Sequence, residues 1–324
     1  MTSSPTITTC EGMCPDRAPT VVAIGGGHGL AASLRAVRRY AGEITAVVSV
    51  ADDGGSSGRL RRVMPELPAP GDVRRCLSAL ADPDSALGRT LEHRFGAEEG
   101  RLEGHALGNL ILAGLTAELG SFAGAVDELG RLVGSAGRVV PATVGPVALE
   151  AELQQTRRRT DDPEHPEGPD RVVGQVAVQN AGGVVRVGLT GDQPARLASP
   201  EAVAAILAAD QVVLGPGSLF TSVLAAAVVP GIRDALTRTD AQRVYVANLA
   251  PQMPETAGFT VADHVDAVVA HHIPIDVVVC PVDAGPRPRE DGFRVVEHPV
   301  AAPDGRVHDP ARLAEALAAL SVRR

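Results

Sequence analysis

The stretch Val21-Val22-Ala23-Ile24-Gly25-Gly26-Gly27-His28-Gly29-Leu30-Ala31-Ala32 decides the fold class. The apolar run Val21–Ile24 reads as a buried strand, and a glycine cluster ends it. From Leu30 to Tyr40 the apolar residues recur at helical spacing. Strand, glycine turn and helix start are the opening of a βαβ unit. Gly27-His28-Gly29-Leu30-Ala31-Ala32 fits the G-x-G-x-x-A form of a phosphate-binding turn. Glycines let backbone approach a phosphate, and the helix start supplies N–H groups and a positive dipole end. A turn that needs glycine only for packing would look the same. Gly25, Gly26, Gly27, His28 and Gly29 enter as candidate ligand residues.

Outward from this turn the alternation continues. Ile44–Val50 reads as a second strand, followed by Ala51-Asp52-Asp53-Gly54-Gly55-Ser56-Ser57-Gly58, a run of turn formers expected to be neither helix nor strand. Residues 72–134 read as mostly helical. Val139–Pro141, Val147–Leu153, Val172–Val178 and Val184–Leu189 read as strands, and the charged, proline-rich Thr156–Asp170 as an exposed hairpin loop. Then strands at Val212–Leu214, Val244–Ala247 and Val277–Cys280 alternate with helices at Leu219–Val228, Val261–Ala270 and Ala311–Leu320. Such alternation implies an α/β, Rossmann-like, doubly wound and mainly parallel sheet with right-handed crossovers. The expected organisation is a tail over 1–18 and one α/β domain over 19–322, with a helical region and hairpin inserted at roughly 60–190.

Composition narrows the chemistry. All 30 basic residues besides histidine are Arg, and Lys is absent. That excludes lysine Schiff bases, lysine-held pyridoxal phosphate and the P-loop lysine. Any phosphate must be held by Arg, by backbone N–H groups or through a metal. The net charge of −9 disfavours wrapping a nucleic-acid backbone, and 2% aromatics disfavours base stacking. The longest apolar stretches, such as Val223–Pro230, are far below the ~20 residues of a membrane span. The Ser/Thr/Pro-rich start lacks the features of a secretory signal, so a disordered tail and a cytoplasmic protein are expected. Cys10 and Cys14 lack a second Cys/His pair at zinc spacing and read as free thiols. His271 and His272 suit the end of an apolar-striped helix.

Further motifs cluster at expected strand ends, where ligands bind in open α/β sheets. Asp52 and Asp53 could read ribose or sugar hydroxyls, or hold Mg²⁺ beside phosphate oxygens. Gly54, Gly55 and Ser56 could wrap a phosphate or sugar, with Arg59 pairing to it. Asp72, in Pro70-Gly71-Asp72-Val73-Arg74-Arg75, is either a ligand residue or a helix cap. His105 and Asn109, four apart on one helix face, point at a ligand or brace the helix. Gly215-Pro216-Gly217-Ser218 is a second glycine loop before a helix and a second candidate anion nest, with Thr221 just beyond it. Asn248, Gln252 and Glu255 follow another strand, where amides could read a base edge or hydroxyls. Arg306 lies just before His308-Asp309-Pro310, where Asp309 could simply cap the last helix.

Taken in order over about 21–320, these motifs resemble the YvcK/GlmR-like gluconeogenesis factor family, relatives of 2-phospho-L-lactate transferase with a CofD-like fold. The resemblance rests on Ile24–Leu30, Val50–Gly58, Pro70-Gly71-Asp72, Gly104–Asn109, Leu214–Ser222, and Glu255-Thr256 with Asp263-His264. It implies a cytoplasmic regulator that binds UDP-sugars such as UDP-N-acetylglucosamine, without an established reaction of its own. It also implies a role in cell shape and wall-precursor supply on gluconeogenic carbon. Expected partners are the nucleotide sugar, a regulated metabolic enzyme and further copies of the chain, with no required cofactor, Mg²⁺ open, and neither nucleic acid nor membrane insertion. The chain departs from the family pattern at His28, where relatives carry Thr, and at Val307, where an Arg precedes His-Asp; here Arg306 stands one step earlier. A metal-dependent transferase acting on a nucleotide-activated phospho group is the alternative, and an NAD-binding oxidoreductase a third reading.

Overall fold

The computed structural model describes residues 17–154, 170–193, 196–282, 284–285, 288–289 and 292–321. Nearly all of the expected tail, Cys10 and Cys14 with it, and 155–169 of the charged stretch lie outside the described residues.

The strands are β1 (Thr20–Gly25), β2 (Glu43–Val48), β3 (Arg138–Pro141), β4 (Ala148–Leu153), β5 (Arg171–Val173), β6 (Val184–Thr190), β7 (Gln211–Leu214), β8 (Gln242–Val246), β9 (Val277–Cys280) and β10 (Arg294–Glu297). The main sheet is entirely parallel, in the order β10-β9-β8-β7-β1-β2-β3. Its central strands are continuous Val/Ile/Ala runs, with Val21–Ile24, Val212–Leu214 and Val277–Cys280 all buried, as strands covered on both faces must be. The helices are α1 (Gly27–Val37), α2 (Gly55–Val63), α3 (Pro70–Leu80), α4 (Ala86–Thr90), α5 (Leu107–Leu119), α6 (Phe122–Leu132), α7 (Gln175–Asn180), α8 (Pro200–Ala208), α9 (Ala225–Ala227), α10 (Pro230–Arg238), α11 (Val261–Ala270) and α12 (Pro310–Ser321). From β1 the chain winds toward β2, and from β7 it winds the other way toward β8. Right-handed crossovers therefore place α1 and α10 on opposite faces. Among the described residues no single helix is long and apolar enough to cross a membrane.

The structure redraws several local expectations. β3 falls within the stretch expected as one insertion, yet it joins the main sheet beside β2. That stretch is thereby divided into a helical β2-to-β3 crossover and a small antiparallel sheet, β5-β4-β6, that carries α7. Ala51–Gly58 is not all loop, because α2 begins at Gly55. Its first turn is stabilised by packing: Ser56, Ser57 and Gly58 are buried, and a Cβ on Gly58 would overlap the Asp53 carbonyl. Val172–Val178 is not one strand. Gly174, at φ 108°, ends β5, and the Asp53 carboxylate accepts the Val176 N–H (2.9 Å) to start α7. Leu219–Leu224 is helical with a wide turn, the Val223 N–H reaching the Ser218 carbonyl (3.0 Å). Helices α8 and α10 and strand β10 were not among the expected elements.

Buried polar nodes pin the layers together. Gln211, in β7, accepts the Tyr40 hydroxyl (2.6 Å) beyond α1 and donates to the Leu317 carbonyl (3.1 Å) of α12. Arg243 forks onto Asp276 (2.8 and 2.7 Å) across the starts of β8 and β9. His308 donates from Nε2 to the Ala247 carbonyl (3.2 Å) where β8 ends, and burial pushes its imidazole down to about 4. An unfolded chain takes up that proton near the ordinary 6.5, so native stability is lost as pH falls from about 6.5 toward about 4. One such group contributes about 3 kcal/mol across the window. Urea unfolding should show this decline, and His308→Gln should flatten part of it; an unchanged slope in the variant would refute the assignment.

Candidate functional site

The sheet reverses its winding between β1 and β7, so the loops leaving these neighbours diverge and open a crevice at the carboxyl edge. Both glycine loops lie there. The two touch: a Cβ on Gly29 would overlap the Pro216 carbonyl oxygen and crowd the Gly217 Cα. The Ser33 hydroxyl donates to the Gly215 carbonyl (2.6 Å), binding α1 to the second loop from below.

A cleft of about 460 Å³ opens beside the loops. Gly26, Gly27, His28 and Gly29 line it from the start of α1. Asp52, Gly54, Gly55, Ser56 and Ser57 line it at the start of α2, and Gly71 at the start of α3. Gln175, Val176 and Gln179 of α7 form another wall, and Gly217, Ser218, Ser222 and Gln252 close it. The first N–H groups of each helix lack intrahelical partners and carry the positive dipole end, so this convergence favours anionic oxygens.

Arg74, Arg75 and Arg94 also line the cleft, and Asp52 is the carboxylate among the lining residues. Arg74 is only 1% exposed; its Nη2 meets Glu92 at 3.1 Å, while Nε and Nη1 are shielded and have no partner among the described residues. Arg75 Nη1 donates to Asp72 (2.6 Å), and its Nε is likewise unpartnered. Asn109 Oδ1 and Gln252 Oε1, both at the cleft, are buried acceptors without donors. Buried polar atoms are rarely left so, and these gather around one space. Desolvation, with Arg75 and Arg74 adding to it, holds the His28 imidazole below its ordinary value.

Several expected ligand residues hold the loops and helices of the site in place. Asp72 is buried and does not line the cleft; its carboxylate takes the Gly27 N–H and Arg75, tying α3 to the first glycine loop. Burial pushes its carboxyl up, with Asp52 adding and Arg75 opposing. Asp53 is committed to α7 through Val176. The Ser56 hydroxyl accepts from Ala106 N–H (3.3 Å) and Asn109 Nδ2 (3.0 Å) and donates to His105 Nδ1 (3.1 Å), which saturates it. His105 is thus a brace, while Asn109 both braces Ser56 and lines the cleft. Arg59 lies against Gly104, outside the lining, and Arg306 is exposed on the loop before α12.

The second loop differs most from the expectation of an open anion nest. The buried Glu255 carboxylate already accepts the N–H groups of Phe220 (2.7 Å) and Thr221 (3.0 Å), the Thr221 hydroxyl (3.2 Å) and the Ser218 hydroxyl. Asn248 grips Gly217 on both sides, Oδ1 on its N–H (2.9 Å) and Nδ2 on its carbonyl (2.8 Å). Gly25, Gly215 and Pro216 shape the loops without lining the cleft. The cations that do line it went unread in the sequence. A signal existed for two: Gly71, Arg74 and Arg75 stand at i, i+3 and i+4 of α3, one face of a helix. Arg94 had none, because an isolated bridge to Ala106 places it.

The family model for 2-phospho-L-lactate transferase CofD matches residues 21–301. A Mycobacterium tuberculosis protein provisionally named a gluconeogenesis factor is 45% identical over 323 residues, covering 94% of this chain and 90% of its own. The gluconeogenesis factor of Bacillus subtilis is 40% identical over 253 residues, 78% of this chain and 75% of its own. A crystal structure of a UPF0052 family member from Bacillus halodurans superposes with a TM-score of 0.81 at 33% identity, covering 94% of this chain and 99% of that one. With the switch-point cleft and its glycine loops in place, these matches show that the chain belongs to the CofD family, among the gluconeogenesis factors.

Proposed function

We propose that the chain is a regulatory protein that binds a nucleotide sugar of the UDP-N-acetylglucosamine class in the switch-point cleft. The carrying observation is the pair of opposite deficits around that space. Arg74 and Arg75 leave buried N–H donors without acceptors, whereas Asn109 and Gln252 leave buried oxygens without donors. A bare phosphate satisfies only the first set. A diphosphate bearing sugar hydroxyls carries acceptors for the first set and donors for the second. The phosphates fit against the starts of α1 and α2 and the Arg74–Arg75 pair, and the hydroxyls against Asp52, Asn109 and Gln252. The names of the relatives support a role in gluconeogenic growth. Within the proposal, that role is supply of cell-wall precursor and maintenance of cell shape, exerted on a metabolic enzyme.

Isothermal titration with UDP-N-acetylglucosamine should give saturable binding. No heat with any UDP-sugar would sink the reading. Arg75→Gln should weaken binding by roughly 10- to 100-fold, the worth of a charge-assisted hydrogen bond. Arg59→Gln and Arg306→Gln should leave it unchanged, since neither side chain lines the cleft.

The CofD match favours a second reading, a metal-dependent transfer of a nucleotide-activated phospho group. Of the two carboxylates expected at a metal, Asp52 lines the cleft and Asp53 is held by α7. Among the described residues no cluster of three or more His, Cys, Asp or Glu could hold an ion. Asp52 alone would hold Mg²⁺, with ligand phosphates completing the shell. For the regulator, UDP-sugar affinity should be the same with Mg²⁺ and with a chelator. Loss of affinity in chelator, together with turnover of a nucleoside diphospho compound, would decide for the transferase.

A further inference from the structure

A second cavity, about 710 Å³, lies between β6, the segment entering α8, and α10, and shares no lining residue with the switch-point cleft. Arg186, Arg196 and Arg233 line it, and among the described residues no carboxylate does. Among the described residues none of these guanidiniums forms an ion pair. Arg196 Nη1 donates to the Leu189 carbonyl (3.3 Å), but its Nε is shielded from solvent without a partner among the described residues. His271, in the wall, adds no charge: Nε2 accepts the Val187 N–H (2.9 Å) and Nδ1 donates to the Ala267 carbonyl (2.7 Å), which fixes the neutral ring. The remaining wall is largely apolar, with Leu189, Val203 and Val228.

Gathering cations without an acid between them is unfavourable, and it occurs here in a chain of net charge −9. An inorganic anion would leave the apolar wall wet, and a neutral hydrocarbon would leave the guanidiniums unmatched. The volume falls within the ~300–1,000 Å³ typical of small-molecule sites. We infer that this cavity binds a small organic anion, its carboxylate or phosphate head held by Arg196 and Arg233 and its hydrocarbon body laid along Leu189, Val203 and Val228.

The test uses the whole chain and anilinonaphthalene sulfonate, a fluorescent organic anion, as reporter. Octanoate should displace it saturably, whereas octanol and octyltrimethylammonium at equal concentration should not. Arg196→Gln with Arg233→Gln should weaken octanoate by about tenfold or more, and Arg75→Gln, in the other cleft, should leave it unchanged. Displacement by octanol as effective as by octanoate would reduce the site to an apolar patch and overturn the proposal. Undiminished octanoate binding in the double variant, or its loss in Arg75→Gln, would overturn it as well. If the double variant does not unfold at the parent midpoint, Arg233→Gln alone decides together with the ligand series on the parent chain. The Arg233 guanidinium makes no hydrogen bond among the described residues, so this variant disturbs the fold least.

Discussion

Everything at the carboxyl edge of the sheet depends on the close approach of two backbone loops, Gly29 against Pro216. Neighbouring parallel strands lie about 4.8 Å apart, and β1 and β7 both end there in glycine loops with helices rising on opposite faces. No side chain fits between the loops. The contact brings the start of α1 and the wide helical turn after Ser218 together as one floor. The surrounding polar network serves that floor: Asp72 under Gly27, Ser33 under Gly215, Asn248 around Gly217, and Glu255 across the helix start at Phe220. These side chains fill backbone valences that the loops themselves leave open.

The result is an asymmetric site. On the Phe220 side the helix start is neutralised by a carboxylate of the protein itself. On the α1, α2 and α3 side the buried Asp72 takes the Gly27 N–H from behind, and guanidiniums join the helix starts at the cleft. The complete replacement of Lys by Arg suits this arrangement. A guanidinium keeps its charge when buried and offers several directed N–H groups, so Arg74 can bind Glu92 with one nitrogen and still carry further donors in the wall of the cleft. A buried ammonium would shed its proton more readily.

Legibility from the sequence tracks the range of the interactions involved. The sheet was readable because strands buried on both faces become unbroken Val/Ile/Ala runs, and the glycine loops because backbone chemistry leaves a local signature. α7 was not readable, because its cap, Asp53, is 123 positions away. α2 was hidden by residues that favour turns in isolation and become helical once packed. β10 is a half-exposed edge strand, Arg-Val-Val-Glu, without a core signature. In the site, the residues quoted as motifs do converge, but many of their side chains hold loops in place. A motif shows that a residue type is needed, not whether it faces the ligand or the backbone behind it.

The lining of the cleft runs from Gly26 to Gln252. A ribosome must therefore deliver most of the chain before the last wall exists. The first glycine turn, made early in the chain, waits for β7, the Ser218 turn and the Gln252 segment before it can enclose anything. Any molecule enclosed there would meet the two halves of the chain only after both had been made.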